Sequence, residues 1–155
     1  MFGIDTCSWL KLDLLANSGW DSTVTMLFNE LELFTTHEVV EELNRFLSHR
    51  KGWLKRITIR THDQKTFSHF AGDVFDPADA SLLSLTQVKD VIIITEDPVM
   101  LAENVFLREN VIQLIDLFSL LFQENRISQQ DFNRLLSFFR KKRNITKRNA
   151  SLLKK

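Results

Sequence analysis

V-I-I-I-T-E-D-P, residues 91–98, is a run of four β-branched residues that turns polar at Thr95. β-Branched residues favour strands, and an apolar run without alternation is typical of a strand buried on both faces. Pro98 suits the first position of a helix. The segment therefore predicts a buried strand over Val91–Ile94 that passes through Asp97 into a helix.

Other apolar runs repeat this pattern along the chain, with helical spacing of apolar residues between them. Strands that alternate with helices imply a mostly parallel sheet with helices on both faces. We therefore expect an α/β fold, a three-layer α/β/α sandwich with a mostly parallel central sheet, in a single domain over residues 1–139. The predicted strands are Phe2–Ile4, Leu33–Phe34, one within Trp53–Thr61, Val91–Ile94 and Val111–Ile112.

Two helix starts carry capping residues. Asp76-Pro77-Ala78-Asp79 combines an N-cap, a proline at the first helical position and an acid in the first turn. Thr35 and Glu38 have the spacing of a capping box. The segment Asp63–Asp73 is predicted to be irregular and polar.

The net charge is zero, but its distribution is uneven. No acidic residue follows Asp131, whereas eight basic residues lie from Arg140 onward. We expect a basic tail over residues 140–155 and interpret it as an arm for the phosphate backbone of RNA, with a solvated tail as the alternative. The predicted RNA-binding residues are Arg140, Lys141, Lys142, Arg143, Lys147 and Arg148.

A single cysteine, Cys7, excludes a disulfide scaffold and a cysteine-rich zinc site. We expect Cys7 to be a small core residue. The N-terminus does not have the pattern of a signal peptide, and no stretch approaches the ~20 apolar residues that cross a bilayer. These features predict a cytoplasmic protein that does not enter a membrane.

Four acidic residues are expected at one edge of the sheet. Asp5 and Asp97 follow predicted strands, Asp79 lies in the first turn of a helix, and Glu42 lies about two turns into another. Functional groups collect beyond the carboxyl ends of parallel strands. Four converging carboxylates need a cation, and oxygen ligands suit a hard divalent ion, so we predict a Mg²⁺ or Mn²⁺ site. Two neighbouring hydroxyl groups, those of Thr6 and Thr95, could orient these acids.

Each acid also has a plainer explanation if it is taken alone. Asp79 suits a helix N-terminus, Asp97 could cap the helix that begins at Pro98, and Glu42 could face solvent. Asp5 is harder to explain in this way, because an acid inside an apolar run is costly to bury without a partner.

The sequence resembles the PIN-domain nuclease family. Four runs occur in the order and spacing of that family, and the resemblance covers roughly residues 2–125. It implies a metal-dependent endoribonuclease with Asp5, Glu42, Asp79 and Asp97 as the acids that hold Mg²⁺ or Mn²⁺. The runs are IDTCSWL (4–10), HEVVEEL (37–43), DPADASLLSL (76–85) and IIITEDPVML (92–101).

The resemblance leaves several points open. The second acid could be Glu38, Glu41 or Glu42, and the further acid that the toxins of the family often carry after T-x-D is missing here. The segments after Phe122 suggest an archaeal-style variant. A toxin would have an antitoxin partner, and family habit and the abundant phenylalanine make a homodimer an option. The choice between RNA and DNA also stays open.

Two other classes of function are alternatives: a phosphoryl-transfer protein with an aspartyl nucleophile, and an inactive binding module. A phosphatase of the haloacid-dehalogenase type needs a second aspartate where Cys7 stands, and the lysine and acceptor aspartate of a receiver domain are not found at the expected places. A catalytically inactive PIN-like module that binds RNA or a protein partner is the stronger alternative.

Overall fold

The computed structural model describes residues 1–46, 57–72, 75–102 and 110–141. The chain divides into two compact units, Met1–Ile112 and Gln113–Lys155. The division into a domain over residues 1–139 and a basic tail over residues 140–155 stays a prediction.

Strands and helices alternate along the first unit. Gly19 has a φ of +91°, in the left-handed region that favours glycine, at the break between the first two helices. The elements are β1 (Phe2–Ile4), α1 (Thr6–Leu15), a π-helical turn (Ala16–Trp20), α2 (Asp21–Glu30), β2 (Leu33–Thr35), α3 (His37–Phe46), β3 (Thr58–Ile59), α4 (Gln64–Phe70), α5 (Pro77–Ser84), a 3-10 turn (Leu85–Gln87), β4 (Ile92–Ile94), α6 (Pro98–Ala102) and β5 (Val111–Ile112).

The described strands form one five-stranded sheet in the order β3-β2-β1-β4-β5, and every pair is parallel. The expected α/β class with a parallel central sheet is confirmed, and the arrangement is compatible with three layers. Because all the strands run in the same direction, their carboxyl ends lie at one edge of the sheet. The segments that follow β1, β2 and β4 therefore begin at that edge.

The central strand β1 packs closely against its neighbours at Gly3. Gly3 pairs with Phe34 of β2 and with Ile93 of β4. A Cβ atom at this position would lie 2.7 Å from the Phe34 ring and 2.8 Å from the end of the Ile93 side chain. Both distances are shorter than van der Waals contact, so a glycine is needed at the centre of this sheet.

The core of the first unit comes from the strands and from the helices that follow them. The Trp9 ring is fully buried and stacks on Phe28, with 5.7 Å between ring centroids. Burial of large apolar side chains supplies most of the stabilisation of such a unit. The fully buried residues include Ile4, Trp9, Leu12, Leu15, Leu27, Phe34, Leu82, Leu83, Ile93 and Ile94.

Two local predictions are wrong. Residues within the supposedly irregular segment 63–73 form α4, which is capped by Asp63 through a 2.8 Å hydrogen bond from the Thr66 amide. Thr35 is not the cap of α3, because it ends β2 and its hydroxyl donates to the Ile4 carbonyl. Thr36 takes the capping position and accepts from the Val39 amide at 3.4 Å.

The second unit contains α7 (Leu114–Gln123) and α8 (Gln129–Lys141) among its described residues. These helices pack through phenylalanine: the rings of Phe122 and Phe132 stack with centroids 4.8 Å apart. The apolar face predicted for α8 is buried, and its residues are Phe132, Leu135, Leu136 and Phe139.

No helix within the described residues is long and apolar enough to cross a membrane. The tail from residue 142 onward lies outside the described residues.

Candidate metal centre

Asp5 leaves the end of β1 and is almost completely buried, with 2% of its surface exposed. One carboxylate oxygen caps α1 by accepting from the Ser8 amide at 2.7 Å, and the other accepts from the Thr95 hydroxyl at 2.5 Å. Burial raises the pKa of Asp5 from 3.8 to about 6, although the bonds from Thr95 and Ser8 oppose the rise. The fold therefore keeps a carboxylate in a place where its charge is costly.

Asp97 follows the end of β4 and is joined to Asp5 through Thr95. The Thr95 hydroxyl, which donates to Asp5, also accepts from the Asp97 amide at 2.9 Å. The Asp97 carboxylate caps α6 through Oδ1, which accepts from the amides of Val99 and Met100 at 2.6 and 3.1 Å. The capping explanation is thus correct for Oδ1, whereas Oδ2 accepts no hydrogen bond from any described residue.

Glu42 lies in α3 and contacts α1. Its Oε2 accepts from the Thr6 hydroxyl at 2.5 Å. Glu38, one turn earlier, instead bonds His62 Nε2 at 2.8 Å. Burial acts to raise the pKa of Glu38, but the hydrogen bonds that Glu38 accepts and the charges of His62 and His37 together outweigh it, so the pKa falls below its ordinary value. Glu41 is exposed. Of the three neighbouring glutamates, Glu42 is therefore the one that the structure places beside Thr6.

Asp79 lies in the first turn of α5. As predicted, Asp76 caps this helix, accepting from the Asp79 amide at 3.0 Å, and Pro77 begins it. A second contact fixes α5 near the end of β2, where the hydroxyls of Thr36 and Ser81 lie 2.6 Å apart. The Asp79 carboxylate accepts no hydrogen bond from a described residue. Burial, followed by the charge of Asp76 and of the other three acids, raises its pKa to about 7.

Cys7 shows that the four acids share one neighbourhood. The prediction of a core cysteine is wrong, because the residue is exposed. Partial burial raises the pKa of its thiol to about 11, and the charges of Asp5, Asp79, Asp97 and Glu42 add to the rise. Four carboxylates from four separate segments therefore act electrostatically on one side chain. Sequence reasoning missed this position, although Cys7 stands two residues after Asp5.

The four carboxylates are close enough to influence Cys7 electrostatically, but charges act over longer distances than those between a metal ion and its ligands. Among residues 1–46, 57–72, 75–102 and 110–141, no three His, Cys, Asp or Glu side chains are close enough together to hold a metal ion as they stand. None of the ion pairs between described residues involves Asp5, Glu42, Asp79 or Asp97. Among the described residues, the acids are neighbours that form no ion pair with a cationic side chain.

Lys11 and Glu96 form an ion pair beside this group, with Nζ and Oε2 2.5 Å apart. Their side chains are only 10% and 7% exposed. The charge of Glu96 is one of the causes that raise the pKa of Asp5. Nothing in the sequence identified Lys11 or its partner, since the two residues are 85 positions apart.

The predicted RNA-binding residues are only partly described. Arg140 and Lys141 lie exposed in the last turn of α8. The other four, Lys142, Arg143, Lys147 and Arg148, lie outside the described residues.

No protein-family model matches this chain, and no curated protein or solved structure is significantly similar to it. The resemblance to the PIN domain stays an expectation that rests on the four sequence runs.

Proposed function

We propose that this protein is a cytoplasmic endoribonuclease of the PIN type that depends on Mg²⁺ or Mn²⁺, with a three-layer α/β/α fold. Asp5, Glu42, Asp79 and Asp97 would hold the ion. The observation that carries the proposal is the shared neighbourhood of these four carboxylates around Cys7, at the edge of the sheet where the strands end.

The donor set suits a hard divalent cation. Magnesium binds through carboxylate oxygens and keeps several of its waters, so it does not need a complete cage of protein ligands. Several oxygens of this set accept no hydrogen bond from a described residue: both oxygens of Asp79, Oε1 of Glu42 and Oδ2 of Asp97. These are the atoms available to a cation.

The electrostatics also favour a cation. Burial, with a smaller contribution from the charge of Glu96, raises the pKa of Asp5 to about 6. Burial and the charges of Asp76 and the other three acids raise the pKa of Asp79 to about 7. A cation among these groups would offset both costs. Carboxylates a few ångströms apart repel one another by about 1–4 kcal/mol in polar surroundings, and a cation between them would remove that cost.

When bound, such an ion would lower the pKa of its water and neutralise charge on a phosphodiester. The residues of the chain would supply orientation. Thr95 holds the Asp5 carboxylate and the Asp97 backbone together, and Thr6 holds Glu42. Cys7 is exposed, so a substrate phosphate can approach this side of the group from solvent. Hydrolysis would leave a 5′-phosphate and a 3′-hydroxyl.

The basic tail at residues 140–155 would hold the RNA backbone, and a toxin role would add an antitoxin partner. A homodimer is compatible with this function but is not required by it.

The test is cleavage of a labelled single-stranded RNA by the full-length protein with Mg²⁺, with Mn²⁺ or with EDTA. We expect cleavage with the metals only, and none by the Asp97→Asn variant, in which the asparagine can still cap α6. Asp21→Asn, a change at an exposed acid in α2, is the matched control and should cleave normally. A DNA strand of the same sequence separates RNA from DNA preference.

A wild-type protein that binds RNA but cleaves it with neither metal would contradict the proposal. It would favour instead an inactive module that binds RNA or a protein partner.

A further inference from the structure

We infer that the buried Lys11–Glu96 ion pair is a positioning element of the candidate metal centre, which sets the direction of Asp97 relative to Asp5. The inference rests on the proposed function. It assigns a role to two residues that do not belong to the predicted ligand set.

The pair joins the two segments that carry these acids. Lys11 lies in α1, the helix capped by Asp5, and Glu96 directly precedes Asp97. The 2.5 Å contact between Lys11 Nζ and Glu96 Oε2 therefore connects the two sides of the candidate centre.

Other contacts between these segments act at the beginning of α1. Asp5 donates its backbone N–H to the Ile94 carbonyl at 3.1 Å and accepts the Thr95 hydroxyl, and the Ser8 hydroxyl lies 3.4 Å from the Ile94 carbonyl. Lys11 lies in the second turn of the helix. The ion pair thus adds a point of attachment farther along α1, and two separated attachments restrict rotation of the 95–97 turn more than one does.

An ion pair at this position can fix the orientation of its two side chains more specifically than an apolar contact would. Replacing a buried ion pair with apolar residues often leaves stability unchanged, whereas the pair can specify one arrangement of its members. Glu96 is also a fifth carboxylate near Asp5. The ion pair with Lys11 holds the Glu96 side chain toward α1. The next residue, Asp97, is then the one whose carboxylate joins Asp5, Glu42 and Asp79.

The test compares Mn²⁺ binding by calorimetry in the full-length protein and in the double variant Lys11→Met/Glu96→Gln. This variant removes the pair but keeps the summed charge of the two positions at zero, so the net charge around the candidate centre is unchanged. We expect the Kd for Mn²⁺ to rise by about tenfold or more, as it does when residues that orient metal ligands are changed. The urea midpoint in EDTA should stay close to that of the wild type.

Three further variants complete the design. The reversed pair Lys11→Glu/Glu96→Lys should restore much of the Mn²⁺ affinity, and Lys11→Arg should retain it. Arg60→Met/Glu32→Gln is the matched control, because it removes an exposed ion pair with a 2.9 Å contact and should leave Mn²⁺ binding unchanged. If the first double variant does not fold, the reversed pair and Lys11→Arg decide the question.

Wild-type Mn²⁺ affinity in Lys11→Met/Glu96→Gln would overturn the inference, and so would a reversed pair that folds but binds as weakly as that variant. Either result would leave the proposed function intact. Failure of the wild-type protein itself to bind Mn²⁺ and to cleave RNA would instead refute the proposed function.

Discussion

Asp5→Asn should make the metal-free protein more stable at pH 8. Asparagine has nearly the shape of aspartate, and its side-chain oxygen can still accept the Ser8 amide that caps α1. The substitution removes the buried negative charge and replaces the oxygen that accepts from Thr95 with an amide nitrogen, which can donate to the Thr95 hydroxyl instead. A residue kept at a cost to stability is typical of a functional site, so the gain on its removal measures that cost.

The magnitude follows from the pKa of Asp5. A rise from 3.8 to about 6 corresponds to about 3 kcal/mol at pH 8, because each factor of ten in the ionisation constant is worth about 1.36 kcal/mol. The pKa in the folded state lies above the pKa in the unfolded state, so the folded protein binds more protons between these values. The contribution of Asp5 to the free energy of unfolding is therefore largest below pH 3.8, and it is lost as the pH rises through about 6.

The assay is urea unfolding of wild type and Asp5→Asn in EDTA at pH 5 and pH 8. We expect Asp5→Asn to be more stable by about 3 kcal/mol at pH 8 and by about half as much at pH 5. Saturating Mn²⁺ should stabilise the wild type and leave Asp5→Asn nearly unchanged. An Asp5→Asn protein that is less stable than wild type at pH 8 in EDTA would refute the reasoning, since it would mean that the fold favours the ionised carboxylate of Asp5.

Three further predictions concern the site, the sheet and the tail. Glu42→Gln should abolish metal-dependent cleavage, whereas Glu38→Gln should cleave normally, because the Glu38 carboxylate is bonded to His62. Cleavage rates of the two variants, measured with the same RNA, show which glutamate the reaction needs. Gly3→Ala should lower the free energy of unfolding by about 1–3 kcal/mol in urea, because its methyl group would overlap an aromatic ring 2.7 Å away. Deleting residues 142–155 should weaken RNA binding and make the slope of log K against log salt shallower by about 3, if four phosphate contacts are lost.

Each of these expectations has a result that would contradict it. Equal cleavage by the Glu42→Gln variant and the wild type would remove Glu42 from the site. An unchanged urea midpoint for Gly3→Ala would show that the sheet can accommodate a side chain at its centre. Wild-type affinity and salt dependence after deletion of residues 142–155 would leave the tail as a solvated segment.

The features that could be predicted from the sequence are those fixed by local chemistry. The β-branched run Val91–Ile94 forms a buried strand over Ile92–Ile94, because its propensity and its burial favour the same structure. Asp76 caps α5 as predicted, because N-cap, proline and amide all lie within four residues. The buried face of α8 followed from its helical spacing.

The predictions that were wrong depended on competition between neighbouring segments. Thr35 and Thr36 are equally suited to cap α3, but pairing of β2 extends through Thr35 and leaves the capping position to Thr36. The helix α4 was missed because its serine, threonine and histidine residues have modest helix propensity and do not form a clear apolar stripe. Its one local signal was Asp63, three residues before the amide that it caps.

The ion pair of Lys11 and the exposure of Cys7 could not be predicted, because each depends on the packing of distant segments. Lys11 and Glu96 are 85 positions apart, and the sequence offers many acids as partners for a buried lysine. Cys7 was assigned to the core because cysteine is among the most buried residue types. Its orientation is set by the packing of α1, in which Trp9, Leu12 and Leu15 are buried and Cys7 is not.

The central claim is that a divalent cation binds among Asp5, Glu42, Asp79 and Asp97. Anomalous scattering from a crystal of the full-length protein soaked in Mn²⁺ tests it most directly. The account predicts a peak at the edge of the sheet where β1 and β4 end, with carboxylate oxygens of these residues as ligands. An ion bound elsewhere, or the four carboxylates unchanged in saturating Mn²⁺ with no peak between them, would contradict it.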